Sequence, residues 1–567
     1  MDYYKTFLNW RDGDDFDAVT RSELSEINDL KEIEDRFYKE LEFGTGGLRG
    51  LMGAGTNRIN VYTIGRATYG IGRYLIDLHG EDFCKASGVV IAYDTRNNSK
   101  KLADIAAKVL SSFNIPVYLN INACPTPELS FSVKKYNCML GIVITASHNP
   151  KEYNGYKVYD ANGCQVPPGI ADVIYSYIKN APDYANCLCR DKFNEQLIYQ
   201  FDCEKEFVDS ILMGIPNQLY EGEKEIKIVY TPLHGTGNRP VQRILKKAGF
   251  SCIVVCEQAD DNGNFPTVIT PNPEDQNALK CAIGLAAQTK ADVVMGTDPD
   301  CDRIGIAVKN EGEYVLLTGN QIGALILDYL LQQDFVKEID NPAVVSTIVS
   351  SDLGLSIASA HGITVFSTLT GFKYIGEKIN QFENTENDEC GNRKYSFLFG
   401  YEESYGFLFG THARDKDAVS ASLLIACMVE FYRKKGLTLV QRLDELYRTY
   451  GYYLDFLDSY VFTGKSGAEC MRTMMNKLRN EPNIFDGVDN WIDYMCSQPS
   501  GYGTELLPCS DVVKYVFSDK SWIVFRPSGT EPKMKIYYCI KGDNRDLAQK
   551  KLANYKRKVQ EIIDLFV

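Results

Sequence analysis

The chain has 567 residues, a formal net charge of −14, 44% hydrophobic and 24% charged residues. That length exceeds one core and points to about four domains at roughly 150 residues each. The negative balance excludes nucleic acid and acidic membrane surfaces as partners, because no basic field attracts either. The 17 cysteines are scattered, without a Cys-x-x-Cys pair or zinc-ligand spacing, as in a chain of reduced cytosolic thiols.

The opening MDYYKTFLNWRDGDDFD is acidic and has no basic region followed by an apolar stretch, so no signal peptide is expected. No apolar run is long enough to span a membrane. RDGDDFDAVTRSELSE, from Arg11 to Glu26, reads as an acidic surface loop. GTGGLRG, from Gly44 to Gly50, reads as a glycine-rich turn delivering Arg49, a weak signal alone. GVVIAYDTR, ending at Arg96, is a strand running into a polar loop, and the helical KKLADIAAKVLSSF follows it. The apolar, β-branched MLGIVITA predicts a buried strand that ends just before Ser147. Ser147 stands in TASHNPKEYNGYKVY, beside His148 and ten residues before Lys157, and Pro150 bars a helix there. Such strand ends are where open α/β sheets gather their sites.

IKIVYTPLHGTG and ADVVMGTDPDCDR repeat the passage from strand to loop, with helical PVQRILKKAGF and GNQIGALILDYLLQQ between and after them. This alternation predicts βαβ units with mainly parallel sheets. In GTDPDCDRIG, Asp298, Asp300 and Asp302 occupy alternate positions, so in an extended loop their carboxylates converge. Three such charges repel one another and need a cation, and oxygen ligands suit Mg²⁺ completed by a phosphate oxygen. The bland alternative is a solvated acidic turn, against which stand the buried strand in front and Arg303 behind. Cys301 reads as a small filler.

ENTENDECGNR, from Glu383 to Arg393, reads as a surface loop. GYEESYGF sets Glu402 and Ser404 at a strand end, where they could grip vicinal sugar hydroxyls or cap a helix. ARDKDAV places Arg414 and Lys416 among acids, a pattern shared with exposed surface pairs. FRPSGTEPK offers Arg526, Ser528, Gly529 and Thr530, either as phosphate donors or as a simple hairpin turn. The last segment reads as a helix with Leu547, Leu552, Tyr555, Val559, Ile562 and Phe566 on its apolar face. Among the histidines, His234 reads as a loop-structuring residue, and His79, His361 and His412 belong to no constellation. The fold class is α/β: three similar mixed α/β domains followed by a smaller α+β C-terminal domain.

Taken in order, TASHNP, DPDCDR, EES and RPSGTEP resemble the four signature loops of the α-D-phosphohexomutases, and the resemblance covers nearly the whole chain. The leading acidic segment, TGFKYIG and ARDKDAV look most like the larger bacterial phosphoglucomutases and related phosphopentomutases. The resemblance implies four domains (1–205, 206–317, 318–454 and 455–567) around a central cleft, in a cytoplasmic enzyme. It implies that Ser147 carries a phosphoryl group and that Ser147, Asp298, Asp300 and Asp302 hold Mg²⁺. Arg49, His148 and Lys157 match positions that assist proton transfer or steady the transferred group. Thr45, Arg303 and Lys416 match substrate-side positions, as do Thr370 and Gly371 in a specificity loop. Glu402 and Ser404 match the sugar contacts, and Arg526, Ser528, Gly529 and Thr530 the remote phosphate site.

The activity so implied interconverts glucose 1-phosphate and glucose 6-phosphate, with glucose 1,6-bisphosphate as activator and intermediate. Mannose or pentose phosphates are the alternative substrates. Tyr405 departs from the glycine common after the sugar-loop serine, which loosens the transfer of fine specificity. Partners are small sugar phosphates, with no nucleic acid or membrane, and oligomeric state stays open and compatible with a monomer. An aspartyl-nucleophile phosphatase is a rival reading of Asp-x-Asp after a strand, but Asp302 replaces its usual Thr or Val and Ser147 would be idle. A non-catalytic sugar-phosphate sensor is the other rival, opposed by intact nucleophile, metal and phosphate motifs.

Overall fold

A computed structural model of the protein describes residues 2–44, 46–384, 394–462, 464–496, 498–499, 506–528 and 533–566. The surface loop expected from Glu383 to Arg393 lies almost wholly outside them. The chain forms two compact units, Met1–Lys309 with Leu408–Cys427, and Asn310–Phe407 with Met428–Val567.

The first unit begins with three short helices, Tyr3–Asp12, Ala18–Ser25 and Leu30–Phe37. The acidic stretch from Arg11 to Glu26 is therefore not the surface loop its composition suggested. Asp2, Asp17 and Asp29 each cap a helix by accepting a backbone N–H, so part of the acidity serves helix starts. Trp10 is buried, stacked on Phe16 at 4.5 Å between ring centroids and edge-on to Tyr62 at 5.4 Å.

The first sheet runs Gly47–Leu51, Tyr153–Asp160, Leu140–Ile144, Val89–Tyr93, Val117–Asn120, Ile198–Phe201. Its last four strands are parallel, and the first two are antiparallel additions. Leu140–Ile144 and Val89–Tyr93 are buried throughout, as continuous apolar runs in a helix-covered parallel sheet must be. Arg49 pairs in register with Gly155, where an added Cβ would lie 2.4 Å from the Thr145 carbonyl. Only glycine lets the serine-bearing loop approach that strand so closely. A second sheet runs Ile304–Asn310, Val293–Thr297, Ile228–Thr231, Cys252–Val254, with the last three strands parallel.

In the second unit, Thr364–Thr368, Pro342–Thr347 and Ser396–Glu402 lie parallel in that order. The C-terminal sheet runs Tyr452–Val461, Lys533–Gly542, Trp522–Pro527, Val513–Phe517, Val488–Asp493, antiparallel throughout. The helix Arg545–Ile563 covers it with Ala548, Leu552, Val559, Ile562 and Ile563. Leu547, expected on that face, is 41% exposed; as the third residue of the helix it points off the sheet. Three α/β domains and a C-terminal sheet domain are thus present. Among the described residues every cysteine is a free thiol, and no helix is long and apolar enough to cross a membrane.

One core acid is set against its surroundings. Glu128, on the helix Thr126–Lys135, is 1% exposed, and burial pushes its carboxyl up to about 8 despite the hydrogen bond from Asn120. Glu204 and Asp202 add repulsion. The folded chain then keeps a proton that the unfolded chain releases near pH 4.5, so this group's stability is present at low pH and lost between about 4.5 and 8. Glu128→Gln should melt several degrees above wild type at pH 8 and level with it near pH 4.5. Equal melting points at both would mean that the carboxyl is ionised in the core.

Candidate active site

The site in the first unit is built on two strand ends. Leu140–Ile144 runs out into Thr145–Ser147, and Ser147 adopts φ +53°, a left-handed backbone that costs a non-glycine residue energy. Its amide donates to Thr145 Oγ1 at 2.8 Å, and its hydroxyl donates to Asp298 Oδ2 at 2.9 Å. His148 Nδ1 lies 3.2 Å from the same hydroxyl. Desolvation, reinforced by the charges of Arg303 and Arg49, holds the His148 imidazole well below its usual pKa and therefore neutral.

Val293–Thr297 runs out into the carboxylates. Asp298, Asp300 and Asp302 are all buried, with one oxygen from each lying within 4.8 Å of the others. They do not converge through an extended loop, as the alternate spacing suggested. Cys301 donates its amide to the Asp298 carbonyl at 2.9 Å and takes φ +52°, so a tight turn gathers them. The buried Cys301 is the filler expected. Asp298 Oδ1 accepts the amides of Asp302 at 3.1 Å and Arg303 at 3.0 Å. Burial, and then Asp300 and Asp302, push the Asp298 carboxyl well above its ordinary range.

Lysines answer this charge. Lys157 Nζ lies 3.0 Å from Asp300 and 3.4 Å from Asp302, and Lys416 Nζ lies 3.1 Å from Asp302. Burial opposes ionisation of Asp302, but Lys416, Lys157 and Arg303 prevail and hold it below the usual carboxylate range. Burial likewise lowers Lys157, yet Asp300 and Asp302 outweigh it and keep the ammonium charged. The Oδ1 atoms of Asp300 and Asp302 are buried with no hydrogen-bond partner. Buried, orphaned carboxylate oxygens in an all-oxygen donor set fit a hard divalent cation.

Lys416 is not an exposed surface pair: Arg414, Asp415 and Asp417 around it are buried. Lys416 also reaches Asp415 at 3.1 Å, and Tyr159 donates its hydroxyl to Asp415 at 2.5 Å. Arg303 pairs with Glu274 at 2.5 Å while its Nε stays 3.9 Å from Asp302. Arg49 is open to solvent but flanked by protein, and that desolvation, followed by the charge of Arg303, loosens its proton. His234 is a loop residue, bonded to Thr267 at 2.9 Å and facing the Asp260 carbonyl at 3.2 Å. His412, without a role in the sequence, pairs with Asp417 at 2.8 Å.

The remaining candidates belong to the second unit. Glu402 ends the strand Ser396–Glu402, and Gly406–Phe409 follows as another strand, so the motif does not start a helix. Glu403 is half-buried; desolvation, then Glu402, push it up to about 7. Thr370 and Gly371 form the turn after Thr364–Thr368, where Gly371 has φ +118° and the Thr370 hydroxyl is buried without a hydrogen-bond partner. Arg526 lies half-buried on Trp522–Pro527 opposite Lys535, and the Ser528 amide closes the hairpin on the Lys533 carbonyl at 2.7 Å. Burial, then the charge of Arg526, lower the Lys373 ammonium to about 8. Thr45, Gly529 and Thr530 lie outside the described residues.

Sequence reasoning missed Thr126, whose hydroxyl donates to Asp300 at 3.0 Å from the start of its helix. Nothing local separates that threonine from an ordinary helix start. It also missed Asp415, Glu403 and Lys373; the signal for the last is its place in TGFKYIG.

Comparison with known proteins agrees with this geometry. Residues 40–185, 205–312 and 318–450 match the models for alpha/beta/alpha domains I, II and III of phosphoglucomutase/phosphomannomutase. A phosphoglucomutase of Staphylococcus haemolyticus is 36% identical over 92% of this chain and 94% of its own. One of Staphylococcus aureus strain USA300 is 36% identical over 94% and 96%. Among solved structures, the Paramecium phosphoglucomutase parafusin superposes with a TM-score of 0.68 at 18% identity, over 93% of this chain and 96% of that one. A phosphoglucomutase/phosphomannomutase family protein of Burkholderia thailandensis gives 0.68 at 16%, over 92% and 97%. With three consecutive domain matches and 36% identity along most of its length, the chain belongs to the phosphoglucomutase and phosphomannomutase family of α-D-phosphohexomutases.

Proposed function

We propose that this chain is a phosphoglucomutase, an isomerase that interconverts glucose 1-phosphate and glucose 6-phosphate by way of glucose 1,6-bisphosphate. The observation that carries the reading is the Ser147 hydroxyl 2.9 Å from Asp298, inside a buried triad of carboxylates with two unpartnered oxygens. Asp298, Asp300, Asp302 and the Ser147 oxygen would hold Mg²⁺, which supplies charge neutralisation for phosphoryl transfer. Ser147 passes its phosphoryl group to one sugar hydroxyl and takes back the phosphate from the other end. His148 and Lys157 stand where protons leave and return, and Arg49, Arg303 and Lys416 steady the anionic group.

Glu402 and Ser404 grip sugar hydroxyls, Thr370 and Gly371 shape specificity, and Thr45 contributes on the substrate side. Arg526, Ser528, Gly529 and Thr530 anchor the phosphate that does not react. The division into 1–205, 206–317, 318–454 and 455–567 belongs to this proposal, supported by a main sheet for each part, with the strand Tyr452–Val461 crossing the last boundary. So does a cytoplasmic setting, in which small sugar phosphates are the only partners required.

Two measurements test it. Mutase rates on a panel of glucose, mannose and pentose 1-phosphates, with the matching bisphosphate present, should favour glucose; a preference for mannose or pentose would transfer the assignment to that sugar. Arg526→Ala should raise KM and also lower kcat, because energy from binding the remote phosphate is used to orient the reacting end. Unchanged kinetics would reduce the loop to a hairpin turn.

A further inference from the structure

The segment YDTR, read from sequence only as a strand end, supplies two fully buried charges. The side chains of Asp94 and Arg96 are both 0% exposed and pair at 3.2 Å. Arg96 turns its guanidinium onto the backbone of the Ser147 loop. Nη1 donates to the carbonyls of Pro150 at 2.8 Å and Tyr153 at 3.2 Å, and Nη2 donates to those of Asn149 at 2.5 Å and Ser147. Asp94 holds the other end of the loop. Its carboxylate accepts the Thr145 hydroxyl at 2.6 Å, and that hydroxyl oxygen accepts the Ser147 amide at 2.8 Å. Ser99 Oγ at 2.7 Å and the Arg96 amide at 3.0 Å fix the carboxylate in turn. Arg96 also lies 5.1 Å over the ring of Phe265, which comes from the domain bearing the carboxylate triad.

Four carbonyls converging within seven residues turn their negative ends toward one another. Only a buried cation with several donors in a plane makes that convergence favourable, and arginine has the fork for it. The same loop holds Ser147 in its left-handed conformation, which an unsupported loop would leave.

We propose that Arg96, itself held by Asp94, is a positioning residue for phosphoryl transfer: it fixes the turn at Ser147 so that the hydroxyl faces Asp298. The proposal rests on Ser147 being the phosphoryl carrier. Arg96 touches no reacting atom and none of the proposed sugar contacts, so its loss acts on turnover more than on substrate affinity. Asp94, Thr95, Arg96 and Lys100 line a cavity of about 470 Å³, through which a small cation from solvent is expected to reach the space that a truncated Arg96 side chain would leave.

The test uses the full-length enzyme with Arg96→Ala, Arg96→Lys and Ser147→Ala. Arg96→Ala is expected to lower kcat for glucose 1-phosphate about 100-fold with KM changed less than about threefold, as misplacement of a reacting group does. Millimolar guanidinium should restore it about tenfold and leave wild type unaffected. Arg96→Lys, which keeps the charge but reaches fewer carbonyls, should fall between the two, and it carries the test if the alanine variant does not fold. Wild-type kcat in either folded variant overturns the proposal. A loss shared equally by kcat and KM, without guanidinium rescue, overturns it in favour of simple support of the fold. If Ser147→Ala keeps its turnover, the carrier reading falls first. If Ser147→Ala is dead while Arg96→Ala is fully active, only the positioning role is lost.

Discussion

Ser147→Ala is expected to fold, to bind sugar phosphate and to lose turnover by roughly 10⁴-fold or more, since no other group can take over a covalent carrier. The serine hydroxyl is a poor nucleophile by itself, and its setting supplies what it lacks: Asp298 at 2.9 Å and a neutral imidazole at 3.2 Å. Phosphorylation adds about −1.5 to −2 charge, which has to be balanced by the cations nearby. Intact-mass measurement of the purified protein should find a fraction one phosphate heavier, mapping to the peptide with Thr145 to Pro150. A 1,6-bisphosphate should raise that fraction and excess monophosphate should lower it. The adduct should survive acid and hydroxylamine, as a phosphate ester does and an acyl phosphate does not. Wild-type turnover in the variant, or phosphate on Asp298, would reverse the assignment and favour an aspartyl phosphatase.

Asp300→Asn is the second large effect, with an expected cost of about 3 kcal/mol in the barrier, or more than a hundredfold in rate. Asp300 already satisfies one oxygen through Lys157 at 3.0 Å and Thr126 at 3.0 Å, while its other oxygen is buried without a partner. That second oxygen is the one a cation would take, and an amide can offer only a weaker donor. Elemental analysis should find the wild type binding one divalent ion and the variant binding it poorly, and a chelator should silence the wild type. Full activity in the variant, or indifference to the chelator, would refute the metal assignment.

The parts of the site that could be read from the sequence were those confined to one short segment. Ser147 and the three aspartates each follow an apolar, β-branched run, so strand end and exposed loop were both legible. The shape of the aspartate loop was not, because alternate spacing suggests an extended chain and says nothing about a left-handed Cys301. The acidic stretch near the N-terminus misled for a related reason: aspartates mark loops by composition, yet three of those near the start cap helices that bury Phe7, Trp10, Leu24, Ile33 and Phe37. Contacts between distant segments were invisible. Thr126 on Asp300 and Asp415 between Tyr159 and Lys416 join residues far apart in the chain, and a single sequence records no such pairing.

The first unit is not continuous along the chain. It ends at Lys309 and resumes at Leu408–Cys427, and the returning stretch carries Lys416 to Asp302. During synthesis the three carboxylates and Lys157 therefore leave the ribosome well before Lys416, the second lysine that balances them. A nascent chain that stops anywhere before residue 416 holds a buried, under-compensated cluster of negative charge, and so a less stable first unit. Completion of the acidic centre is thereby coupled to production of the intervening segment of the second unit. The order of translation itself withholds a finished phosphoryl-transfer centre from truncated chains.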